Sequence, residues 1–228
     1  MSAAAVRPAD PLEAVPLPPP PELVVSLAGA SAEQQSRLER YAGLLAGPGV
    51  ERGLLGPREA ERVWPRHLLN CAALAELLEP GQTVLDLGSG AGLPGVVLAV
   101  LRPDVTVVLV EPLLRRALFL EQVVEALELR GTLVRRSRAE ELAGRLLVDV
   151  VTARAVAPLP RLAGWALPLL HPGGRLLALK GDRADSELDQ TRPLLAGLGA
   201  CEGVVVDVGS GPTLARVAVL TRSPRAAS

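Results

Sequence analysis

From Gly81 onward the sequence alternates short apolar runs, rich in valine and leucine, with longer segments whose apolar residues recur every three or four positions. The short runs predict the strands of a parallel sheet, and the longer segments predict the crossover helices that join parallel strands. The sequence therefore predicts an α/β fold. The predicted strands are 83–87, 105–110, 132–135, 147–152, 174–179, 203–208 and 214–221, and the predicted helices are 93–101, 113–129, 138–145, 160–169 and 186–198.

The last two predicted strands differ from the others in the segment that connects them. Only Gly209-Ser210-Gly211-Pro212 separates them, which is too short for a crossover helix. They must therefore pair as an antiparallel hairpin. The prediction is a seven-stranded, mostly parallel sheet with an antiparallel last hairpin, formed by a domain over 82–222.

Both ends of the chain are predicted to lie outside the packed fold. Residues 1–22 contain seven prolines, four of them consecutive at Pro18–Pro21. Proline has no backbone N–H and cannot continue a helix, so this segment is interpreted as a disordered or extended tail. Residues 223–228 are small and polar, and we expect them to be frayed.

Between the proline-rich tail and the sheet, residues 23–81 predict an N-terminal helical cap. Leucines recur there at helical spacing, and Ser31 followed by Gln34 predicts a capping box. Glycine and proline residues interrupt the pattern over 47–56. A second helix follows, with a break or kink expected at Pro65.

The composition excludes two kinds of nucleic-acid-binding protein. The chain has 24 basic and 25 acidic residues and a net charge of −1, which excludes a globally basic coat. Aromatic residues make up 2% of the chain, which excludes a platform of aromatics on which bases stack. Lys180 is the one lysine among the basic residues, and its compact charge lies just past a predicted strand.

The two cysteines, Cys71 and Cys201, are far apart and have no second cysteine or histidine at metal-ligand spacing. The sequence thus predicts neither a disulfide framework nor a metal site, but two buried thiols in a reducing compartment. No uncharged apolar run is long enough to cross a bilayer, and the N-terminus lacks the pattern of a secretory signal. We therefore predict a cytoplasmic protein without membrane contact.

The segment 86–95 is rich in glycine and lies between the first predicted strand and the first helix. Glycines there permit a sharp turn and let a ligand approach the backbone at the carboxyl edge of the sheet. Gly90, Gly92 and Gly95 match the spacing of a dinucleotide fingerprint, but the register disagrees because the glycine directly after the strand is Gly88. Asp86 at the strand end suits a ligand that carries a cation, such as a sulfonium amino acid.

Two further loops complete the predicted ligand site. Glu111 follows the second strand, where a carboxylate can accept hydrogen bonds from both hydroxyls of a ribose. Residues 137–140 follow the third strand, where an adenine ring would find polar partners. Three loops from three successive strand ends therefore predict an adenosine-shaped site.

Several motifs closely resemble those of the RsmG (GidB) family. They are Asp86-Leu-Gly-Ser-Gly-Ala-Gly-Leu-Pro-Gly95, Arg138-Ala-Glu-Glu141, Thr152-Ala-Arg154-Ala-Val-Ala157, Leu179-Lys180-Gly181 and Trp64-Pro-Arg66-His67-Leu-Leu-Asn70. The resemblance covers about residues 37–221, and the Gly-Leu-Pro-Gly ending separates it from methyltransferases in general. Asn70 stands where the family commonly has serine. The resemblance implies a Rossmann-like class I enzyme that uses S-adenosyl-L-methionine to methylate guanine N7 in 16S ribosomal RNA.

The resemblance assigns residues to the cofactor, whereas the candidates for the substrate side come from their positions at strand ends and in the helical cap. It implies cofactor contacts at Gly88, Leu93, Ala139, Glu140 and Arg154, in addition to the loop residues Asp86, Gly90 and Glu111. Candidates on the substrate side are Lys180, Arg154, His67 and Arg66, because cations can bind guanine O6 or phosphate. No general base is expected, because guanine N7 already exposes a lone pair. Basic residues outnumber acidic ones between residues 83 and 183, which predicts a weakly positive rim around the site.

The expected partner is the 30S subunit or its 16S RNA, bound by a monomer. Two other functions remain open from the sequence alone. One is an NAD(P)-dependent oxidoreductase, and the other is a ribosome-assembly factor without catalytic activity that uses the cofactor as a structural ligand. Binding of NADH would indicate the first, and cofactor binding without methyl incorporation would indicate the second.

Overall fold

The computed structural model describes residues 12–19 and 29–224. Within them, seven strands form one sheet in the order β3-β2-β1-β4-β5-β7-β6. The strands are β1 (Thr83–Leu87), β2 (Thr106–Val110), β3 (Thr132–Arg135), β4 (Val148–Arg154), β5 (Leu170–Leu179), β6 (Ala200–Val208) and β7 (Ala215–Arg222). Strands β1 to β5 are parallel, and β7 lies antiparallel between β5 and β6. The predicted α/β sheet with its antiparallel last hairpin is confirmed.

The α-helices of the described chain cover both faces of the sheet. They are α1 (Ala32–Leu44), α2 (Leu69–Ala72), α3 (Gly95–Leu101), α4 (Leu114–Ala126), α5 (Ala139–Leu142), α6 (Leu159–Ala166) and α7 (Ala184–Thr191). Neighbouring strand residues point to opposite faces. Val84 therefore packs with the helical cap, α3 and α4, whereas Leu85 packs with α5, α6 and α7.

The direction of the strand order reverses between β1 and β4. In open parallel sheets such a switch point leaves a crevice beyond the carboxyl ends of the strands, and ligands bind there. The segment 88–94, which connects β1 to α3, lies at this crevice. The topology therefore places the predicted site residues on one edge of the sheet.

The helical cap follows the predicted pattern with two differences. Ser31 and Gln34 form the predicted capping box. The interruption predicted over 47–56 begins later, because π-type turns continue α1 over Leu45–Gly49. The break expected at Pro65 is replaced by further π-type turns over Val63–Leu68, which follow 3₁₀ turns over Pro57–Arg62.

The described part of the proline-rich segment, residues 12–19, lies against the cap. The carbonyl oxygen of Leu17 accepts a hydrogen bond of 2.9 Å from the indole nitrogen of Trp64. The backbone nitrogen of Val15 donates to the carbonyl oxygen of Gly43, and a Cβ at Gly43 would lie only 2.1 Å from the oxygen of Val15. Residues 12–19 thus contact the helical cap, while residues 1–11, 20–28 and 225–228 of the two predicted tails lie outside the described residues. The domain boundaries stay predictions.

Within the described residues, the two cysteines lie in different environments. Cys71 is buried and Cys201 is exposed, and neither forms a disulfide, so the prediction of a buried thiol is wrong for Cys201, which lies at the start of the outermost strand β6. No described helix combines the length and the apolar character needed to span a bilayer. No group of three or more His, Cys, Asp and Glu side chains in this part of the chain could hold a metal ion.

Candidate functional site

Three cavities follow one another along the carboxyl edge of the sheet. The first, here called the α5 cavity, has a volume of about 150 Å³ and is lined by Gly88, Ala139, Glu140, Val156 and Trp165 among others. The second, the glycine-loop cavity, has a volume of about 570 Å³, and its lining includes Gly88 and Arg154. The third, the β5 cavity, has a volume of about 850 Å³. Gly88 and Val156 line both the first and the second cavity, and Arg154, Ala155 and Val156 line both the second and the third.

The glycine loop has a backbone conformation that needs glycine at two positions in particular. Gly88 has a φ of +70°, and a Cβ there would lie 2.9 Å from a methyl group of Val156. Gly95 begins α3, and a Cβ there would lie 2.3 Å from Leu109 and 2.7 Å from a carboxylate oxygen of Asp86. Close backbone approach therefore both shapes the cavity and packs α3 against β1.

Asp86 is a fully buried carboxyl group at the end of β1. Its Oδ2 accepts a hydrogen bond of 3.0 Å from the backbone nitrogen of Gly95. Its Oδ1 has no hydrogen-bond partner among the described residues. Burial raises the pKa of Asp86 to about 7, although the hydrogen bond from Gly95 opposes that shift. Such a group favours a cationic ligand, which would supply the partner that Oδ1 lacks.

Glu111 follows β2 and is buried beside the glycine loop. Its Oε2 accepts a 3.0 Å hydrogen bond from the backbone nitrogen of Gly90, and its Oε1 accepts one of the same length from Leu113. Arg116 lies 3.8 Å away. A carboxylate can accept about four hydrogen bonds. The side chain is therefore held rigidly at the glycine-loop cavity with acceptor capacity left for ribose hydroxyls.

Residues 137–140 lie beyond β3, where the sequence predicted an adenine contact. Ala139 and Glu140 begin α5 and line the α5 cavity, and Leu93 lines the glycine-loop cavity. Trp165 of α6 also lines the α5 cavity, and the guanidinium of Arg161 lies 4.7 Å from its ring centre. No sequence motif indicated Trp165, although a tryptophan in the helix after β4 is a usable signal in a chain with so few aromatic residues.

Arg154 and His67 were separate candidates in the sequence and are joined in the structure. Arg154 ends β4, and its Nη2 contacts Nδ1 of His67. Its Nη1 donates to the sulfur of Cys71 at 3.5 Å. On its other side, His67 lies 2.9 Å from Glu59, measured from Nε2 to Oε2. The helical cap thus supplies partners for a cation at the sheet edge.

Lys180 and Arg66 both line the β5 cavity, but each already has a carboxylate partner. The ammonium of Lys180 lies 2.9 Å from Glu187 Oε2 and donates to the carbonyl oxygen of Ala157 at 2.5 Å. Arg66 is exposed and lies 3.1 Å from Glu59 Oε1. The charge of Lys180 is therefore engaged inside the protein, where it fixes the loop that follows β4.

The family model described as rRNA small subunit methyltransferase G matches residues 34–205 of this chain. The protein of that name from Thermobifida fusca is 58% identical over 188 residues, which cover 80% of this chain and 79% of the relative. The one from Streptomyces avermitilis is 54% identical over 200 residues, which cover 87% and 83%. The chain belongs to the rRNA small subunit methyltransferase G family.

Solved structures agree with this family assignment at the level of the fold. TrmN from Thermus thermophilus matches with a TM-score of 0.50 at 26% identity, covering 67% of this chain and 48% of that one. TYW2 from M. jannaschii, solved with AdoMet, matches with a TM-score of 0.52 at 17% identity, covering 67% and 73%. The predicted class I methyltransferase fold, the methyltransferase activity and the cofactor S-adenosyl-L-methionine are confirmed for this member of the family.

Three observations indicate that the residues of this rRNA small subunit methyltransferase G family member fit S-adenosyl-L-methionine. The buried Oδ1 of Asp86 lacks a partner. A Cβ at Gly88 would collide with Val156 and narrow both cavities that Gly88 lines. Glu111 keeps acceptor capacity beside them. Asp86 would accept from the cationic amino group of the cofactor, Gly88 would allow the cofactor to approach the backbone closely, and Glu111 would accept from the ribose hydroxyls.

Proposed function

We propose that this chain transfers a methyl group from S-adenosyl-L-methionine to N7 of a guanine in 16S ribosomal RNA of the small subunit. The names of its relatives support ribosomal RNA of the small subunit as the substrate class. The observation that carries the proposal is the character of the β5 cavity, which adjoins the glycine-loop cavity. The charged residues that line it are Arg66, Arg154, Lys180, Arg183 and Glu187, four basic and one acidic.

The excess of cations favours an RNA ligand over a neutral metabolite. Glu187 offsets the charge of Lys180 and Glu59 that of Arg66, which leaves Arg154 and Arg183 to bind phosphate or the O6 acceptor of guanine. Arg154 lies where the glycine-loop and β5 cavities meet. A weakly cationic site suits one base presented by a preformed RNA surface better than tight binding to free RNA.

The cofactor side is assigned to residues that line the first two cavities, together with Asp86, which is buried at the end of β1 and lines neither of them. Asp86, Gly88, Gly90 and Leu93 would hold the amino-acid part, and Glu111 would hold the ribose. Ala139 and Glu140 would border the adenine at the α5 cavity. When bound, the cofactor supplies an electrophilic methyl group on a sulfonium ion.

Positioning provides most of the proposed catalysis. Guanine N7 carries an exposed lone pair, so no residue must first remove a proton. The protein's task is to hold acceptor and donor in line, an advantage that reaches about 7–11 kcal/mol in well-aligned systems. In keeping with this, no histidine or cysteine of the described residues lines the β5 cavity, and the one described carboxylate in its lining is paired with Lys180.

The test uses radiolabelled S-adenosyl-L-methionine with two substrates, 30S subunits from cells that lack this enzyme and naked 16S RNA. We expect label at N7 of one guanine, located by chemical cleavage at 7-methylguanine, and more label in the subunit than in naked RNA. Label in protein or small molecules, or cofactor binding without any incorporation, contradicts the proposal. The cytoplasmic location follows from this substrate, and the monomeric state stays a prediction that sedimentation can test.

A further inference from the structure

The guanidinium of Arg154 is held by neutral partners. His67 contacts Nη2 and Cys71 contacts Nη1, while within residues 12–19 and 29–224 no carboxylate forms an ion pair with Arg154. Burial raises the pKa of the Cys71 thiol to about 11, so the sulfur is uncharged at neutral pH. Asp86 is near enough to sense the charge of Arg154 but does not contact it. The positive charge is therefore fixed in place without being neutralised.

The contacts of His67 define which of its nitrogens carries the proton. A guanidinium has only donors, so Nδ1 must accept from Arg154, and the proton of the neutral ring is on Nε2. That nitrogen lies 2.9 Å from Oε2 of Glu59 but forms no hydrogen bond with it, so the carboxylate acts on Nε2 through its charge. Burial and the charge of Arg154 lower the pKa of His67 to about 4, against the opposing effect of Glu59. Glu59, Arg154 and the exposed Arg66 are the charged groups that act on the ring.

We propose that His67 and Glu59 are positioning residues for methyl transfer. The charge of Glu59 favours the tautomer of His67 with its proton on Nε2, and His67 holds the guanidinium of Arg154, without neutralising it, against an anionic group of a ligand. This inference rests on the proposed function and names residues that act on the same site. His67 is 5% exposed, which leaves it almost no surface for contact with RNA. Its role is thus exerted through Arg154.

A carboxylate in place of His67 would hold Arg154 equally well but would cancel its charge. A neutral imidazole provides a hydrogen-bond acceptor that orients the guanidinium of Arg154. It leaves the full positive charge of that guanidinium at the point where the glycine-loop and β5 cavities meet. The anion that this charge binds has two possible sources, the carboxylate of the cofactor and a phosphate of the RNA. Both present oxygen acceptors that suit a guanidinium.

Three variants of the full chain separate positioning from mere packing. His67→Phe fills the space but removes the acceptor for Arg154, whereas His67→Asn places an oxygen acceptor near the position of Nδ1. Glu59→Gln keeps an oxygen near Nε2 without the charge. His171→Asn is the matched control, because this second histidine is exposed on β5. For each variant we would measure kcat and KM with 30S subunits, the affinity for S-adenosylhomocysteine and S-adenosylmethionine, and the thermal midpoint.

We expect His67→Phe to lower kcat/KM between about 10- and 100-fold, since small misplacements of a binding group have effects of that size. His67→Asn should restore much of that loss, and His171→Asn should match the wild type. A weaker affinity for S-adenosylmethionine with an unchanged KM for 30S identifies the cofactor carboxylate as the anion. A raised KM for 30S with unchanged cofactor affinity identifies an RNA phosphate.

Two results overturn the inference. One is wild-type kcat/KM and cofactor affinity in His67→Phe. The other is an equal loss in His67→Phe and His67→Asn that follows the fraction of folded protein. Nitrogen NMR of the wild type provides a reading that needs no methyl transfer: the signals absent from His67→Asn should report a neutral ring with its proton on Nε2, and a charged ring contradicts the inference. Failure of the wild type to methylate any guanine would reject the proposed function, while the NMR and affinity measurements would still decide the role of His67.

Discussion

One carboxylate oxygen of Asp86 accepts a 3.0 Å hydrogen bond from the backbone nitrogen of Gly95, while the other oxygen is buried without a partner. The hydrogen bond to Gly95 connects the end of β1 to the start of α3. The other oxygen, Oδ1, is shielded from water, and no protein donor among the described residues replaces the hydrogen bonds that water would give it. A buried carboxyl in this state costs stability once it ionises. The same oxygen is the one that a cationic ligand can use, so ligand binding and stability of the free protein place opposite demands on Asp86.

The first prediction concerns Asp86→Asn. The pKa of Asp86 rises from 3.8 to about 7 on folding, so the folded form holds a proton that the unfolded form releases between these values. The stability that this proton provides is complete below pH 3.8 and is lost as the pH rises through about 7. An amide resembles the protonated acid, so Asp86→Asn should stabilise the free protein near pH 8, on the order of 2–4 kcal/mol, and by clearly less near pH 5, where only part of the proton's contribution has been lost.

Urea unfolding at both pH values measures this difference, and the affinity for S-adenosylmethionine should fall sharply in the same variant. Asp189→Asn is the control, because that side chain is 74% exposed on α7. Equal stability changes at the two pH values would show that the carboxyl of Asp86 is already charged at low pH. Unchanged affinity would show that its free oxygen does not face the ligand.

The second prediction concerns Gly88→Val. The new side chain would meet Val156 at 2.9 Å and adopt a φ of +70°, which costs about 1–2 kcal/mol in strain. It would also reduce both cavities that Gly88 lines, so the affinity for S-adenosylhomocysteine should be lost. Gly144→Val separates the two effects, because Gly144 has a φ of +75° with nothing within 4 Å of a Cβ. We expect backbone strain to destabilise both variants, Gly88→Val further because of the contact with Val156, and binding to be lost in Gly88→Val alone, which calorimetric titration of folded protein measures.

Residues at strand ends were predictable because of a simple rule of topology. The carboxyl ends of parallel strands meet at one edge of a sheet. Recognising the apolar runs as parallel strands is therefore enough to predict that Asp86, Glu111 and Arg154, which lie at strand ends, come together. All seven predicted strands occur, and the hairpin between β6 and β7 followed from the length of its connection alone. The strands and the hairpin depend on local sequence patterns, so they can be predicted from one sequence.

Contacts between the cap and the sheet were not predictable in the same way. Arg154 and His67 are 87 positions apart, and no periodicity relates the helical turns of the cap to the end of β4. Ala155 adopts a φ of +55°, a conformation that alanine seldom favours and that the surrounding contacts must impose. The partner of Lys180 likewise depends on how α7 packs. Tertiary packing, which determines such pairs, leaves no local signature in the sequence.

The third prediction uses Trp165, one of two tryptophans in the chain. It lines the α5 cavity, whereas Trp64 is bound to the carbonyl of Leu17 within the cap. Binding of S-adenosylhomocysteine should therefore change the fluorescence of Trp165 by placing an adenine ring beside it. The change should disappear in Trp165→Phe and persist in Trp64→Phe. The same change in Trp165→Phe as in the wild type would place the adenine elsewhere.

The fourth prediction separates two roles of Lys180. Its side chain is 8% exposed and paired with Glu187, which also accepts a 2.7 Å hydrogen bond from the backbone nitrogen of Leu159. Lys180→Met leaves that carboxylate without its partner and should destabilise the protein by about 3 kcal/mol. The double variant Lys180→Met with Glu187→Gln removes both charges and keeps an acceptor for Leu159. We expect it to recover most of the stability in urea unfolding.

The activity of the double variant then decides what the lysine contributes. If Lys180 acts only by neutralising Glu187, kcat/KM for 30S subunits should recover together with the stability. Recovery of stability with kcat/KM still reduced would instead show that the ammonium itself is needed, either to hold the carbonyl of Ala157 or to contact the substrate as the sequence suggested. Lys180→Arg tests the same point from the other side, because it keeps the charge but cannot reproduce the compact contact with the carbonyl of Ala157.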